Sequence, residues 1–253
     1  MLYAKFRTLN RFLLAWLLSA VMLAARAGSG WERCVIAGET SSIRDTGTVN
    51  ALRFIGQTDA DGFPPDAAWK KAAAIEFRHD WQGKNADERR ETEVRLLWTA
   101  DVLYLSFLAK YRSITVFEDA DSRGRRDKLW DRDVAEVFLQ PADSEGHGYK
   151  EIEVSPNGMW IDLDIAPGGK RDLNSGLRRR VHVDEKKMTW QAELAVPMKS
   201  LTEKFDPAAA WRINFYRVEG AKEPRFYSAW RPTGTPEPNF HVPEAFGKLV
   251  FER

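Results

Sequence analysis

From Thr92 to the C-terminus, apolar and polar residues alternate in short runs, a pattern typical of half-buried β-strands. The runs Thr92–Trp98 and Val102–Ala109 flank a compact turn and predict a hairpin, and Pro156-Asn157-Gly158 predicts another. Further strands are predicted at Ala51–Ile55, Asp133–Leu139, Tyr149–Ser155, Met159–Ile165, Arg178–Asp184, Met188–Val196, Trp211–Glu219, Arg225–Trp230 and Lys248–Glu252. About ten short strands separated by turns indicate an all-β fold, a β-sandwich.

Helical signals are confined to two short stretches. Asp66 is placed to cap a helix from Ala67 to Ala74, in which Trp69 faces inward. Pro197 begins a second helical turn that ends at Leu201. The sandwich is therefore predicted to carry short helical turns only.

The first 27 residues have the composition of a signal peptide. A positively charged start precedes the apolar run from Phe12 to Ala25, and Ala25-Arg26-Ala27 offers small residues at the positions that a signal peptidase reads. A membrane span needs about 20 apolar residues, which makes a retained anchor the less favoured alternative. Residues 1–27 are predicted to be a cleaved signal peptide, which makes the protein exported, to the periplasm or the extracellular space.

The remaining chain is predicted to form one domain. Residues 28–54 show little periodicity and are an irregular lead-in, and residues 55–253 form the sandwich, with no repeat or linker to divide them. Cys34 is the single cysteine, so we expect no internal disulfide in spite of export.

The charge balance argues against nucleic acid as a partner. Residues 1–27 hold four basic and no acidic side chains, which leaves 34 Lys and Arg against 37 Asp and Glu in the rest of the chain. Nucleic-acid binding favours a basic surface, which this composition lacks. Nor do we expect membrane attachment once the signal peptide is removed.

The richest stretch for chemistry runs from Leu129 to Leu139. Trp130 comes just before a strand, where a large aromatic ring is less often part of the core. Strand alternation places Glu136 on the same face as Val134 and Phe138. A half-buried carboxylate needs a partner. A sugar hydroxyl, an arginine or a metal ion would each serve.

Acidic residues recur on the next two predicted strands. If these strands are neighbours, alternation predicts one polar face that carries Glu136, Glu151, Glu153, Trp160, Asp162 and Asp164. A solvated face, a polar binding surface and a cation site all fit this pattern. Because Ca²⁺ prefers clustered carboxylate oxygens, a structural calcium ion is one expectation.

A proline-rich loop near the C-terminus presents three groups together. Asn239, Phe240 and His241 lie between Pro238 and Pro243, and loops of this kind on a rigid sandwich are natural binding elements. Phe240 packed as a plug at the end of the sandwich is the structural alternative.

These features resemble the family 9 carbohydrate-binding modules and their family 9-like relatives over about residues 55–253. The Trp-x-x-Asp-x-x-Glu-x-Phe motif from Trp130 to Phe138 is the most specific part. The resemblance is carried further by Asp61-Gly62, Trp69, Leu103-Tyr104-Leu105-Ser106-Phe107 and Phe246-Gly247-Lys248-Leu249.

The resemblance implies a jelly-roll-like sandwich, in several members with calcium, that clamps the end of a glucan or xylan between two tryptophans. Trp130 and Glu136 match the first tryptophan and the carboxylate after it. Phe240, beside Asn239 and His241, falls on the second tryptophan, and Glu153 falls near a basic residue of the family. The expected protein is a non-catalytic binder of polysaccharides or oligosaccharides, with a role beside a glycoside hydrolase in polysaccharide catabolism.

Other functions remain as alternatives. A related DOMON-like sandwich holds b-type haem, for which the axial ligands would come from Met159, Met188, Met198 or His241. A cell-envelope interaction protein that has lost the sugar site is a second alternative. A glycosidase using Glu151 and Glu153 is a third, which sequence spacing alone does not support.

Overall fold

The computed structural model describes residues 47–121, 124–144, 146 and 148–252. The predicted signal peptide, residues 28–46 of the lead-in and Cys34 lie outside the described residues. The described residues form thirteen strands: β1 Thr48–Arg53, β2 Ile75–Phe77, β3 Thr92–Trp98, β4 Val102–Lys110, β5 Val134–Gln140, β6 Tyr149–Val154, β7 Trp160–Ala166, β8 Gly169–Asp172, β9 Arg178–Asp184, β10 Thr189–Pro197, β11 Trp211–Glu219, β12 Phe226–Ala229 and β13 Gly247–Glu252. Two short helices, α1 Asp66–Trp69 and α2 Met198–Leu201, accompany them.

The strands form one curled sheet. Its order is β8-β7-β6-β5-β11-β13-β1-β3-β4-β10-β9, with β12 paired to β11 and β2 paired to β3. Most pairs are antiparallel, whereas β1 runs parallel to both β13 and β3. The prediction of an all-β sandwich is therefore confirmed.

The core lies between the two halves of this curled sheet. Side chains of β5, β6 and β11 from one half belong to the same buried cluster as those of β3, β4 and β10 from the other. Phe107 on β4 and Phe215 on β11 meet edge to face across it, with ring centroids 6.1 Å apart. Burial of these aromatic and aliphatic side chains supplies the main stabilisation of the sandwich.

Most predicted strands match observed strands to within a few residues, and both predicted hairpins are present as β3–β4 and β6–β7. The predicted strand at Ala51–Ile55 is β1, which lies between β13 and β3. The predicted domain boundary at residue 55 thus falls after the first strand of the sandwich.

Two short strands, β2 and β8, were not predicted. All four residues of β8 are exposed, so this strand has no apolar alternation to mark it. The helix predicted from Ala67 to Ala74 is wrong in length, because α1 ends at Trp69 and the chain then turns into β2. Pro65, and not Asp66, occupies the N-cap position, without a side-chain hydrogen bond.

The register between β6 and β7 corrects the predicted acidic face. Glu153 lies opposite Ile161, whereas Asp162 lies opposite the core residue Ile152. Directly opposed residues project to the same face of a sheet. Three residues of β7 therefore lie on the other face from Glu153, contrary to the prediction: Trp160, Asp162 and Asp164. Alternation assigns faces within one strand, but the hairpin register decides which faces of two strands coincide.

Candidate functional site

The outer face of β5, β6 and β11 carries an unusual group of acids. Glu136 on β5 lies directly opposite Glu153 on β6, and Phe138 lies opposite Glu151. On the other side, Glu136 is paired with Tyr216 of β11. Like charges directly opposed on neighbouring strands destabilise a sheet, so this arrangement calls for a functional explanation.

These three glutamates are deeply buried. Their exposed fractions are 2% for Glu136, 3% for Glu151 and 0% for Glu153. Glu136 Oε1, Glu151 Oε2 and both carboxylate oxygens of Glu153 have no hydrogen-bond partner among the described residues. Buried polar atoms are nearly always paired in native proteins, so the unpaired oxygens mark a site that a ligand can complete.

Burial also changes the acidity of these groups. Burial, and then the neighbouring Glu151 carboxyl, raise the pKa of Glu136 well above its usual range. Burial raises the pKa of Glu153 in the same direction, and Glu136 and Glu151 raise it further. Glu136 and Glu153 therefore hold a proton more readily than an exposed glutamate does.

The glutamates line a cavity of about 250 Å³. They form its floor, and the other lining residues rise around them from separate elements. These are Trp130, Phe138, Lys170, Val218, Arg225, Tyr227, Pro238, Asn239, Phe240 and His241.

One wall of the cavity is the loop that contains Phe240. The Phe240 ring stacks on Tyr216, with centroids 4.2 Å apart and planes 12° from parallel. The Tyr216 hydroxyl donates a hydrogen bond of 3.0 Å to the Phe240 carbonyl oxygen. Because Tyr216 is fully buried on β11, this loop is held firmly against the sheet and one face of the Phe240 ring is covered.

A second part of the lining is built around Trp130, which is half-buried in the 3-10 helix Leu129–Asp131 before β5. Arg225 Nη1 donates a 2.7 Å hydrogen bond to the Trp130 carbonyl oxygen and thereby fixes this turn. The ammonium group of Lys170, on β8, lies 4.4 Å from the centre of the Trp130 ring. A cation thus already occupies a position over this aromatic ring.

Asn239 and His241 are exposed and form the rim. The Asn239 side-chain oxygen accepts a 3.0 Å hydrogen bond from the His241 backbone N–H, which orients the side-chain amide. His241 Nδ1 lies 2.6 Å from the Tyr149 hydroxyl and 3.9 Å from Glu151 Oε2. The second separation is beyond hydrogen-bond range, so His241 leaves this oxygen unpaired.

The structure brings together all six residues that the sequence predicted for a binding site: Trp130, Glu136, Glu153, Asn239, Phe240 and His241. Glu151 also belongs to the floor. Lys170 and Arg225 were not among the predicted site residues. Arg225 and Tyr227 are two residues apart on a predicted strand, so the sequence already placed their side chains on one face of the sheet. Lys170 lies on β8, a strand that was not predicted.

The residues considered as ligands of haem or calcium do not come together in one place. Met198 and Met188 each line a different cavity from the one that contains His241. Within the described part of the chain, no group of three or more His, Cys, Asp or Glu side chains is arranged to hold a metal ion. Asp162 and Asp164 instead accept from Ser175 and from Lys150 and Arg171. Structural calcium therefore stays a prediction from the sequence.

Replacing Glu153 with glutamine is expected to stabilise the fold at neutral pH. A carboxyl whose folded-state pKa is raised contributes full stability below its unfolded pKa and loses it as the pH rises through the folded value. Wild type should therefore lose stability relative to Glu153→Gln from about pH 4.5 upward, and the two should converge in more acidic solution. Melting curves across this range test the sign, and a variant that is less stable at neutral pH contradicts it.

The described residues contain no helix that is long and apolar enough to cross a membrane. An "Extracellular protein" of Arthroderma benhamiae is 23% identical over 178 residues, which is 64% of this chain and 78% of that protein.

Solved structures share the fold. A candidate carbohydrate-binding protein of Bacteroides uniformis superposes with a TM-score of 0.64 at 16% identity, covering 81% of this chain and 99% of that one. A family 9 carbohydrate-binding module of Caldicellulosiruptor kristjanssonii has TM-scores of 0.55 with cellotriose bound and 0.53 with glucose bound. Both are 14% identical and cover 81% of this chain and 93% and 95% of theirs. The sequence model of the carbohydrate family 9 binding domain-like family matches residues 60–253, and the chain belongs to this family.

Proposed function

We propose that this protein is a non-catalytic carbohydrate-binding protein that holds one end of an oligosaccharide or polysaccharide in the cavity between Trp130 and Phe240. The observation that carries the proposal is the cavity itself, in which two aromatic walls flank a floor of buried, unpaired carboxyl oxygens. Ligand sites are typically concave and largely apolar, with a few polar groups that fix orientation, and this cavity has that composition.

The aromatic walls suit a pyranose ring. A sugar has a face of axial C–H groups, and a flat aromatic side chain packs against it while losing little rotamer freedom. Phe240 is already stacked on Tyr216, so its remaining face serves a ligand without further ordering. Trp130 is anchored through its carbonyl oxygen by Arg225. The Phe240 ring and the backbone that carries Trp130 are therefore largely preorganised, which reduces the entropy cost of binding.

The floor and rim supply partners for the sugar hydroxyls. Glu136 and Glu153 offer unpaired oxygens, and the Asn239 amide group offers N–H donors beside them. Each net hydrogen bond contributes roughly 1 kcal/mol, and more when one group is charged. Two stacked faces and a few such bonds must still offset the lost translational freedom, so we expect a Kd of roughly micromolar to millimolar.

The same geometry argues against a glycosidase. Retaining and inverting enzymes place two carboxyl groups on either side of the scissile bond. Here Glu136, Glu151 and Glu153 all rise from one face of one sheet. We expect all three to lie on one side of a bound saccharide, although buried carboxyls with a raised pKa are also a pattern of catalytic sites. Purified protein is expected to release no reducing sugar from xylan, glucan or cellulose, and turnover that is lost in Glu153→Gln would contradict this.

Export of the protein belongs to the same proposal. The composition of residues 1–27 and the extracellular relative both support a protein that meets its saccharide outside the cytoplasm. Exported material should begin near Gly28, and N-terminal sequencing checks this directly.

A glycan array that covers glucans, xylans and amino-sugar polymers is the primary test of the function. Binding to at least one saccharide class, lost in Trp130→Ala, is the expected result. Failure to bind any glycan would favour the cell-envelope interaction protein without a sugar site. An intense visible absorption band in the purified protein would favour the haem-binding alternative instead.

Substitutions at Phe240 should change the affinity for saccharide according to the size of the ring. Phe240→Ala is expected to weaken binding less than Trp130→Ala, because the phenyl ring presents a smaller stacking face. Phe240→Trp is expected to restore the larger ring that the family carries at this position and to tighten binding. Titration calorimetry with the saccharide selected by the array gives both values. Unchanged affinity in Phe240→Ala would place Phe240 in the structural packing of the loop alone.

A further inference from the structure

The floor of the cavity lacks positive charge where it is most acidic. Four carboxyl oxygens there have no hydrogen-bond partner among the described residues, and they belong to three side chains that are each at least nine-tenths buried: Glu136, Glu151 and Glu153. A buried carboxylate is costly unless a cation or several donors compensate it. A sugar hydroxyl brings one O–H donor and no charge.

The two cations that line the cavity act on the floor only at a distance: Arg225 opposes the rise in the pKa of Glu136, and Lys170 opposes the rise in the pKa of Glu153. Arg225 donates to the Trp130 carbonyl oxygen at 2.7 Å and to Glu223 at 3.3 Å. Lys170 is exposed on β8 and lies over the Trp130 ring. No ion pair joins either of them to a floor glutamate in the part of the chain that the structure describes. His241 Nδ1 is hydrogen-bonded to the Tyr149 hydroxyl and lies 3.9 Å from Glu151 Oε2, so it could pair only with this one floor oxygen, and only when protonated.

The position of Lys170 shows that the Trp130 ring can bind an ammonium group. Its ammonium group sits 4.4 Å from the centre of the Trp130 ring, within the range at which a cation is attracted to an aromatic face. A second ammonium group between the aromatic walls and the acidic floor would meet both a ring and the unpaired oxygens. An ammonium group carries three donors and a full positive charge, so it can pair with three of the four oxygens and supplies the sign of charge that the floor lacks.

We propose that the preferred ligand of this cavity is a cationic amino sugar, a glucosamine-type unit whose ammonium group binds the floor formed by Glu136, Glu151 and Glu153. This inference rests on the proposed function, since it names the substrate class of the same site. It also explains Glu153, which falls near a basic residue in the family pattern that the sequence resembles. An acid there selects for positive charge on the sugar.

The test compares three β-1,4-linked oligosaccharides of equal length, built from glucosamine, N-acetylglucosamine and glucose. Titration calorimetry is run at neutral pH and just below it, because the amine must be protonated while Glu136 and Glu153, whose pKa burial raises, must ionise to bind it. The glucosamine oligomer should bind at least tenfold more tightly than either neutral one, and added salt should reduce this preference. Glu153→Gln should bring the three affinities close together, and Glu136→Gln should act in the same direction. Glu76→Gln, an exposed change on β2, is the matched control and should keep the preference.

The outcomes separate the two proposals. If the glucose or N-acetylglucosamine oligomer binds as tightly as the glucosamine oligomer, the amino-sugar inference is overturned while the proposed function stands. The same holds if Glu153→Gln keeps the full preference with an intact melting transition. If none of the three oligomers binds and the array is also blank, both proposals fail together.

Discussion

Replacing Trp130 with alanine should weaken saccharide binding at least tenfold, which corresponds to about 1.4 kcal/mol. Trp130 lines the cavity, and its indole is the largest aromatic side chain there. Truncation removes the stacking face and also the ring over which Lys170 lies. Titration calorimetry with the saccharide selected by the array measures the loss. Trp130→Phe, which keeps a ring, should fall between wild type and alanine.

The fold should survive this change, because Trp130 is only half-buried at the edge of its cluster. A buried tryptophan replaced by alanine costs about 3–5 kcal/mol, and Trp130 should cost clearly less. Phe54→Ala is the matched control. Phe54 is also half-buried, but it packs on Tyr104 in a different cluster and does not line the cavity. Normal saccharide binding by Trp130→Ala, or its failure to fold, would show that Trp130 belongs to the core.

Replacing Arg217 with methionine should destabilise the fold by about 3–5 kcal/mol, the usual cost of removing one partner from a buried ionic group. Arg217 is 0% exposed and points into the core, with its guanidinium 5.1 Å from the centre of the Trp190 ring. Its Nη2 lies 3.3 Å from Glu219 Oε2. The guanidinium also opposes the rise that burial causes in the pKa of Asp133 and of Glu219. Without Arg217, two buried acids lose their counter-charge.

Chemical denaturation measures this loss against Arg212→Met, a matched change on the same strand. Arg212 is partly exposed and donates to the backbone carbonyls of Glu244 and Phe246. Arg212→Met should lower the free energy of unfolding by about 1 kcal/mol, as expected for a typical hydrogen-bonding side chain. Adding Glu219→Gln to Arg217→Met should recover part of the stability, because the uncompensated charge is then removed. Equal costs for the two arginines would show that Arg217 does not compensate these acids.

The strands of the sandwich were predictable because their alternation reflects burial on one face. Trp211–Glu219 and Arg178–Asp184 were predicted with the bounds that the structure has. Strand β8 was not, since its four exposed residues carry no such alternation. Lys170, which lies on β8, was therefore missing from the predicted site.

The site was predictable in part, for a different reason. Trp130 and Phe240 are separated by more than a hundred residues, and only the resemblance to a family paired them. Glu136 and Glu153 were predicted to share a face, and the register of β5 and β6 places them directly opposite each other. The same reasoning failed for Asp162. The register of β6 and β7 places Asp162 opposite Ile152, and so on the other face of the sheet from Glu153. Register depends on the turn between strands, which residue patterns within a strand do not encode.

An NMR titration that follows amide and indole N–H resonances locates the bound saccharide most directly. The expected result is a saturable change at the Trp130 indole and at the backbone amides of Asn239, Phe240 and His241, with smaller changes at Arg225 and Tyr227. All of these residues line the cavity. Changes that cluster instead around Tyr111, Lys187 and Met188, which line a separate cavity, would contradict the proposed site.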